Sequence, residues 1–174
     1  MKPKISNQIT IGLFGTCGGS KWRDSFIQKF EELKIAYFNP LVPDWIEEYA
    51  GIEAEHLVED EIILFPVTDE TFGFGSLAET GYSISQALRS NSERFVVIFI
   101  APDVNDLLWT TEPVQAKESK KARALALAHL KRQAHLFPNV YMVDSIEAMK
   151  EVTFILYEAM ITMKKARNLC LTKF

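Results

Sequence analysis

Five short apolar runs separated by helical patterns predict an α/β fold, a three-layer sandwich built around a parallel sheet. The runs cover residues 9–14, 35–38, 62–67, 95–100 and 140–143. They are continuous rather than alternating, the pattern of strands covered on both faces. With right-handed crossovers, the expected sheet has five strands in the order 2-1-3-4-5.

The first helix follows strand 1, where Trp22, Phe26, Phe30 and Leu33 fall at i, i+4, i+8 and i+11 and form one apolar stripe. A short, strongly acidic helix over residues 51–60 leads into strand 3. Residues 76–90 form the next, with Leu77, Ile84, Ala87 and Leu88 on one side. A fourth spans about residues 114–135, rich in alanine and leucine, with Lys and Arg on its other faces. The last is predicted to open at Asp144, with Glu147 three residues on as a capping box, and to run to about Leu169. No repeat, low-complexity tract or linker interrupts the pattern, so residues 1–174 are expected to form one domain.

Composition narrows the function. A chain of 174 residues, 48% of them hydrophobic, buries roughly two thirds of the surface its unfolded form exposes. The longest apolar run, residues 95–101, stops at Pro102, whereas a bilayer span needs about 20 residues. Residues 1–8 lack the apolar segment of a secretory signal, so a cytoplasmic location is expected. Cys17 and Cys170, far apart in the chain, then read as free thiols. A net charge of −4 argues against DNA binding, which usually needs a basic excess. Neither membrane nor nucleic acid is an expected partner; a small molecule is.

In a sheet of this order, ligands bind beyond the carboxyl ends of the strands, where the strand order reverses. Three loops qualify. After strand 1 comes Gly15-Thr16-Cys17-Gly18-Gly19-Ser20-Lys21-Trp22-Arg23. Its glycines admit a ligand to the backbone, and Ser20, Lys21 and Arg23 suit a phosphate or carboxylate near a helix start. The competing reading is a glycine turn with Ser20 as N-cap, two solvated charges and a packed Cys17. The spacing matches neither the P-loop nor G-x-G-x-x-G, and no cofactor or metal is expected. After strand 2, Asn39-Pro40 and Pro43-Asp44-Trp45 make a proline-fixed loop. Trp45 there either offers a flat face to a ring or caps the end of the sheet.

The loop after strand 3, Asp69-Glu70-Thr71-Phe72-Gly73-Phe74-Gly75-Ser76, leads into a helix whose first turn is expected to hold Glu79. Ser76-Leu77-Ala78-Glu79 also fits a capping box, a purely local role for the glutamate. The same placement sets a carboxylate at a strand's carboxyl end beside an open glycine loop, as covalent attack on a sugar carbon requires. Residues 41–80 hold eleven of the 23 acidic residues and neither Lys nor Arg. Some of these, Glu47, Glu48, Glu59 and Asp60, are expected to be solvated. Crowded carboxylates also raise one another's pKa, which can set a proton donor beside an ionised nucleophile.

Together these loops resemble the motifs of the nucleoside 2-deoxyribosyltransferase-like family. The residues that carry the resemblance are the strand-1 loop through Asp24, Tyr37-Phe38-Asn39-Pro40 with Asp44-Trp45, and Gly73-Phe74-Gly75-Ser76-Leu77-Ala78-Glu79. The resemblance is dense from residue 9 to about 85 and vague beyond 100. It implies a flavodoxin-like sandwich, a small-molecule nucleoside or nucleotide substrate, no cofactor, and a homo-oligomer. It also implies that Glu79 attacks the anomeric carbon to form a covalent sugar ester, which a second base or water resolves. Glu53, with Glu55 in reserve, matches the family's second acid, and Asp69 or Glu70 matches the acidic member of the third loop. Substrate contacts are implied for Gly15, Thr16, Cys17, Gly18, Gly19, Ser20, Trp22 and Arg23. They are implied equally for Asn39, Pro40, Asp44 and Trp45, and for Gly73, Phe74, Gly75 and Ser76.

Leu13 and Phe14 stand where many family members carry a tyrosine that orients the nucleophile. A non-catalytic nucleotide-sensing module is therefore an alternative expectation. So is a phosphoribohydrolase, whose glycine-rich motif the third loop faintly resembles. In the loop of residues 101–113, Asn105 and Trp109 are candidates for contacts with a neighbouring subunit's substrate.

Overall fold

The computed structural model describes residues 8–44, 46–90 and 93–171. Five strands form one parallel sheet in the order β2-β1-β3-β4-β5: β1 Thr10–Leu13, β2 Ala36–Phe38, β3 Ile62–Val67, β4 Phe95–Ile100 and β5 Val140–Val143. The expected fold class and strand order are those observed. β3 and β4 pair over their whole length, Ile62 with Phe95 through Val67 with Ile100, and form the sheet's centre. Every residue of β3 is buried, as its unbroken apolar run requires.

The helices are α1 Trp22–Leu33, α2 Glu47–Glu59, α3 Phe74–Ser90, α4 Asp106–Thr111, α5 Pro113–Leu136 and α6 Ile146–Leu171. One core packs α1 and α6 on the sheet through Trp22, Phe26, Phe30, Met149 and Leu156. The other packs α2, α3 and α5 through Leu57, Leu77, Ile84 and Leu130. The sandwich is thus three layers, with α3 lying between α2 and α5.

Several boundaries depart from expectation. Leu33, expected on the apolar stripe, is the last residue of α1 and is 51% exposed; the helix ends on Lys34 at φ 56°. α2 starts one turn earlier than residue 51, with Glu47 and Glu48 in its first turn, where the helix dipole favours carboxylates. α3 starts at Phe74, directly after Gly73 at φ 64°, so Glu79 lies beyond the first turn and Ser76 is no N-cap. α6 is capped by Ser145, whose Oγ accepts from Ala148 N at 3.1 Å, and not by Asp144. The short helix α4 precedes α5. Its cap is Asn105, whose Oδ1 accepts from Leu108 N at 3.1 Å, while Trp109 Nε1 donates to Asp103. Both side chains expected to reach a neighbour's substrate are therefore engaged locally. Among the described residues no helix is long and apolar enough to cross a membrane.

Candidate active site

Two buried arginines build the loops at the carboxyl edge of the sheet. Arg23, the second residue of α1, is 1% exposed. Its Nε donates to Leu13 O at 3.0 Å and its Nη1 to Thr16 O at 2.6 Å. Its Nη2 donates to Gly15 O and to Cys17 Sγ, both at 3.4 Å. Sequence reading took Arg23 as an anion ligand; its donors instead hold the strand-1 loop. Trp22 is also buried, and its Nε1 donates to Thr16 O at 3.0 Å. Thr16 ties this loop to β3, donating through N and Oγ1 to Pro66 O and accepting from Thr68 N. Gly15 sits at φ 89° with Pro66 O only 2.3 Å from where a Cβ would stand, so no other residue fits there.

The loop's open part is Cys17, Gly18 and Gly19. All three are exposed, and added Cβ atoms at the two glycines would meet nothing. Cys17 is thus not the packed thiol expected. Ser20 is buried and does not cap α1, whose N-cap position is Lys21. Ser20 Oγ donates to the Glu70 carboxylate and lies 2.9 Å from Thr68 Oγ1, linking the loops after β1 and β3.

Arg123 does for the third loop what Arg23 does for the first. It is fully buried on α5, and all five of its N–H donors are used. Nε donates to Ser119 Oγ, Nη1 to Val67 O and Ala101 O, and Nη2 to Thr68 O and Thr71 O, at 2.8 to 3.2 Å. Ser119 Oγ in turn donates to Phe72 O at 2.7 Å. Sequence reading had counted Arg123 among the surface charges of a basic helix. A charged residue flanked by alanines on the inner side of that helix is the signal that could have marked it.

Clamped this way, the loop delivers Gly73 and then α3, which carries Glu79. Glu53 on the neighbouring helix α2 is half-buried. Burial raises its pKa above the ordinary glutamate value, and the Arg23 guanidinium partly offsets that rise. Glu79 is exposed; partial desolvation of its carboxyl raises its pKa first, and the negative charge of Glu53 raises it further. Glu53 thus interacts electrostatically with Arg23 on one side and acts on Glu79 on the other. Glu55, the reserve acid, is exposed.

The remaining predicted residues are spread around this edge. Asn39 and Pro40 are half-buried, and Asn39 Oδ1 accepts from Leu41 N at 3.1 Å in a local turn. Asp44 is exposed and Trp45 lies outside the described residues. Phe74 is 46% exposed and stacks on Phe72 with ring centres 5.8 Å apart; Gly75 faces open space and Ser76 is buried. Asp69 and Glu70 are exposed. They line a cavity of about 670 Å³ with Lys21, Asp103, Asp144 and Glu147. Among the described residues no group of three or more His, Cys, Asp or Glu is arranged to hold a metal ion.

A second cluster lies beneath α2. His56 stacks flat on Phe38, ring centres 3.6 Å apart, and its Nδ1 is 2.9 Å from Asp60 Oδ1. Asp60 is 2% exposed, not solvated as expected, and burial pushes its pKa up to about 6. Arg94, fully buried beside it, donates to the carbonyls of Leu57 and Val58 at the end of α2.

No family model, curated protein or solved structure matches this chain.

Proposed function

We propose that this chain cleaves the N-glycosidic bond of a nucleoside or nucleotide through a covalent sugar ester, as members of the nucleoside 2-deoxyribosyltransferase-like family do. The reading is supported by two carboxyls on the packed helices α2 and α3, Glu53 and Glu79, close enough for the charge of one to act on the other, together with the open Gly18-Gly19 turn after β1. Two interacting carboxyls divide the work of acid and nucleophile. The Glu79 carboxylate attacks the anomeric carbon, and the bond from that carbon to the base breaks. The electron pair leaves on the base nitrogen, which takes a proton from Glu53. Water or a second base then attacks the same carbon, the ester bond breaks, and Glu79 leaves as a carboxylate. The proton of the attacking water or base returns to Glu53. Asp69, on the loop after β3, stands as an alternative acid. A cytoplasmic homo-oligomer is part of the same reading.

The test is incubation with each deoxynucleoside and deoxynucleoside monophosphate, with and without a second base, followed by chromatography. Base release or exchange that disappears in Glu79→Ala is the expected result. Turnover that survives that substitution removes Glu79 as nucleophile.

One observation favours a sensing module instead. Phe14 is buried against Phe38, with rings 5.8 Å apart, and brings no hydroxyl to orient Glu79. A nucleotide that raises the melting temperature and is never cleaved supports that second reading.

A further inference from the structure

α2 rests on the rest of the molecule through a largely polar stripe. None of its residues is buried, and only Tyr49, Glu53, His56 and Leu57, at i, i+4, i+7 and i+8, are half-buried. Asp60, at the C-cap, continues this stripe at i+11. Leu57 is its one aliphatic member, and through it α2 reaches the apolar core. The setting of the helix therefore depends on polar contacts at its C-terminal end.

Those contacts form one buried cluster. Arg94, before β4, is fully buried and donates to Leu57 O and Val58 O, two of the end carbonyls that no further turn of helix satisfies. The Asp60 carboxyl folds back under α2, with Oδ1 2.9 Å from His56 Nδ1. Its Oδ2 has no hydrogen-bond partner and would stand 2.7 Å from a Cβ on Gly12, so the carboxyl is seated on β1 at its glycine. The His56 ring lies flat on Phe38, the last residue of β2, with ring centres 3.6 Å apart. One side chain thus touches β1 and the other β2.

A helix cap does not require this pair. Arg94 alone answers the two end carbonyls, whereas burying a carboxyl with one oxygen unpaired costs stability. Folds keep such costs where a functional geometry depends on them. Here the dependent group is Glu53. α2 enters from the carboxyl end of β2 and descends to the amino end of β3. Glu53 therefore stands one turn above His56 on the same stripe, nearer the carboxyl edge of the sheet.

We propose that His56 and Asp60 are positioning residues for Glu53, the pair fixing the face of α2 that brings this carboxyl near Glu79. The inference rests on the reading of Glu53 as the acid of the reaction. Both residues act through the helix and leave the proton transfer itself to Glu53.

Carbon-13 titration of the Glu79 carboxyl, on the full chain, tests this without turnover. In the wild-type background Glu53→Gln lowers the Glu79 midpoint. In the His56→Ala background the same substitution is expected to lower it by less than about half as much, because Glu53 is no longer held. The His56 side chain is 34% exposed, so its truncation leaves the apolar core closed. Asp60→Ala is expected to reproduce the loss. Asp60→Asn, which keeps an acceptor for the imidazole, is expected to restore the coupling. A role confined to stability lowers the melting temperature and leaves the Glu79 movement at its wild-type size. In turnover, kcat of His56→Ala is expected to fall about 10-fold with KM little changed, since the acid is displaced and the binding loops are not. A Glu79 movement of wild-type size in both His56→Ala and Asp60→Ala overturns the proposal, as does no movement in the wild-type background. Turnover that is absent on every nucleoside, or that survives Glu79→Ala, overturns the proposed reaction instead and leaves the titration result standing.

Discussion

Arg123 Nη2 donates to the carbonyl oxygen of Thr71 at 2.8 Å, so a side chain on α5 fixes the loop that positions the helix of Glu79. The same guanidinium takes the carbonyls of Val67, Thr68 and Ala101, at the ends of β3 and β4. Replacing Arg123 with Ala strands these acceptors in a buried site and opens a void. The expected loss of unfolding free energy is about 3 kcal/mol or more, measured by urea denaturation. Arg123→Lys is expected to recover part of it, because a lysine supplies three donors and lacks the planar fork.

Gly73 makes a sharper prediction about the same loop. It holds φ 64°, and an added Cβ would stand 2.7 Å from Val67 Cγ1 and 3.3 Å from Arg123 Nη2. Gly73→Ala therefore combines left-handed strain with a clash against a packed strand. A loss of about 2 kcal/mol is expected. Gly75→Ala, two residues on in open space within α3, is expected to be neutral or slightly stabilising. Thermal unfolding of the pair separates the two cases.

These contacts also mark the limit of what the sequence discloses. β3 and β5 match their apolar runs residue for residue, because Glu61 and Thr68, and Asn139 and Asp144, bound them with polar groups; β4 ends at Ile100, one residue before the end of its run, which stops at Pro102. The start of α3 was misjudged because the Ser76-to-Glu79 spacing imitates a cap. In the structure, Gly73 adopts φ 64° and the helix begins directly after it. The sequence suggests an anion ligand for Arg23 and surface charges for Arg123 and Asp60, since a single sequence shows their helical neighbours and not the carbonyls of distant strands. All the partners of Arg123 except Ser119 lie at least 22 residues away. Glu53 and Glu79 were legible as carboxylates at loop ends. Their mutual influence depends on α2 and α3 packing together, which no spacing within either helix encodes.

The carboxyl pair gives a pH prediction with a definite sign. Glu79 must be ionised to attack, and its pKa is raised by its surroundings and by Glu53. Turnover is therefore expected to fall on the acid side at a pH above the ordinary glutamate range. Removing the neighbouring charge with Glu53→Gln lowers the Glu79 pKa; because the reaction also needs the proton on Glu53, that variant is expected to lose the basic limb of the activity profile rather than to shift the acid one. A carbon-13 titration of the Glu79 carboxyl reads the same shift without turnover. No movement of that titration in Glu53→Gln would show that the two carboxyls do not interact.

Asp60 links pH to stability in the direction opposite to a salt-bridged aspartate. Its ordinary pKa is 3.8, and burial raises it to about 6 in the folded chain. The groups around it are His56 on α2, Arg94 before β4 and its own neighbour Glu61. His56 and Arg94 oppose the rise without cancelling it. The folded state therefore holds the proton more tightly than the unfolded state. The associated stability is fully present below about pH 4 and is lost as pH climbs through about 6. The difference between the two values is worth about 3 kcal/mol. Asp60→Asn removes the titration while keeping an acceptor for the His56 ring. Denaturation curves taken from pH 4 to pH 7 are expected to show wild-type stability falling relative to this variant across that interval. A constant difference between the two proteins over the same range would mean that Asp60 is ionised with its usual affinity for protons, despite its burial.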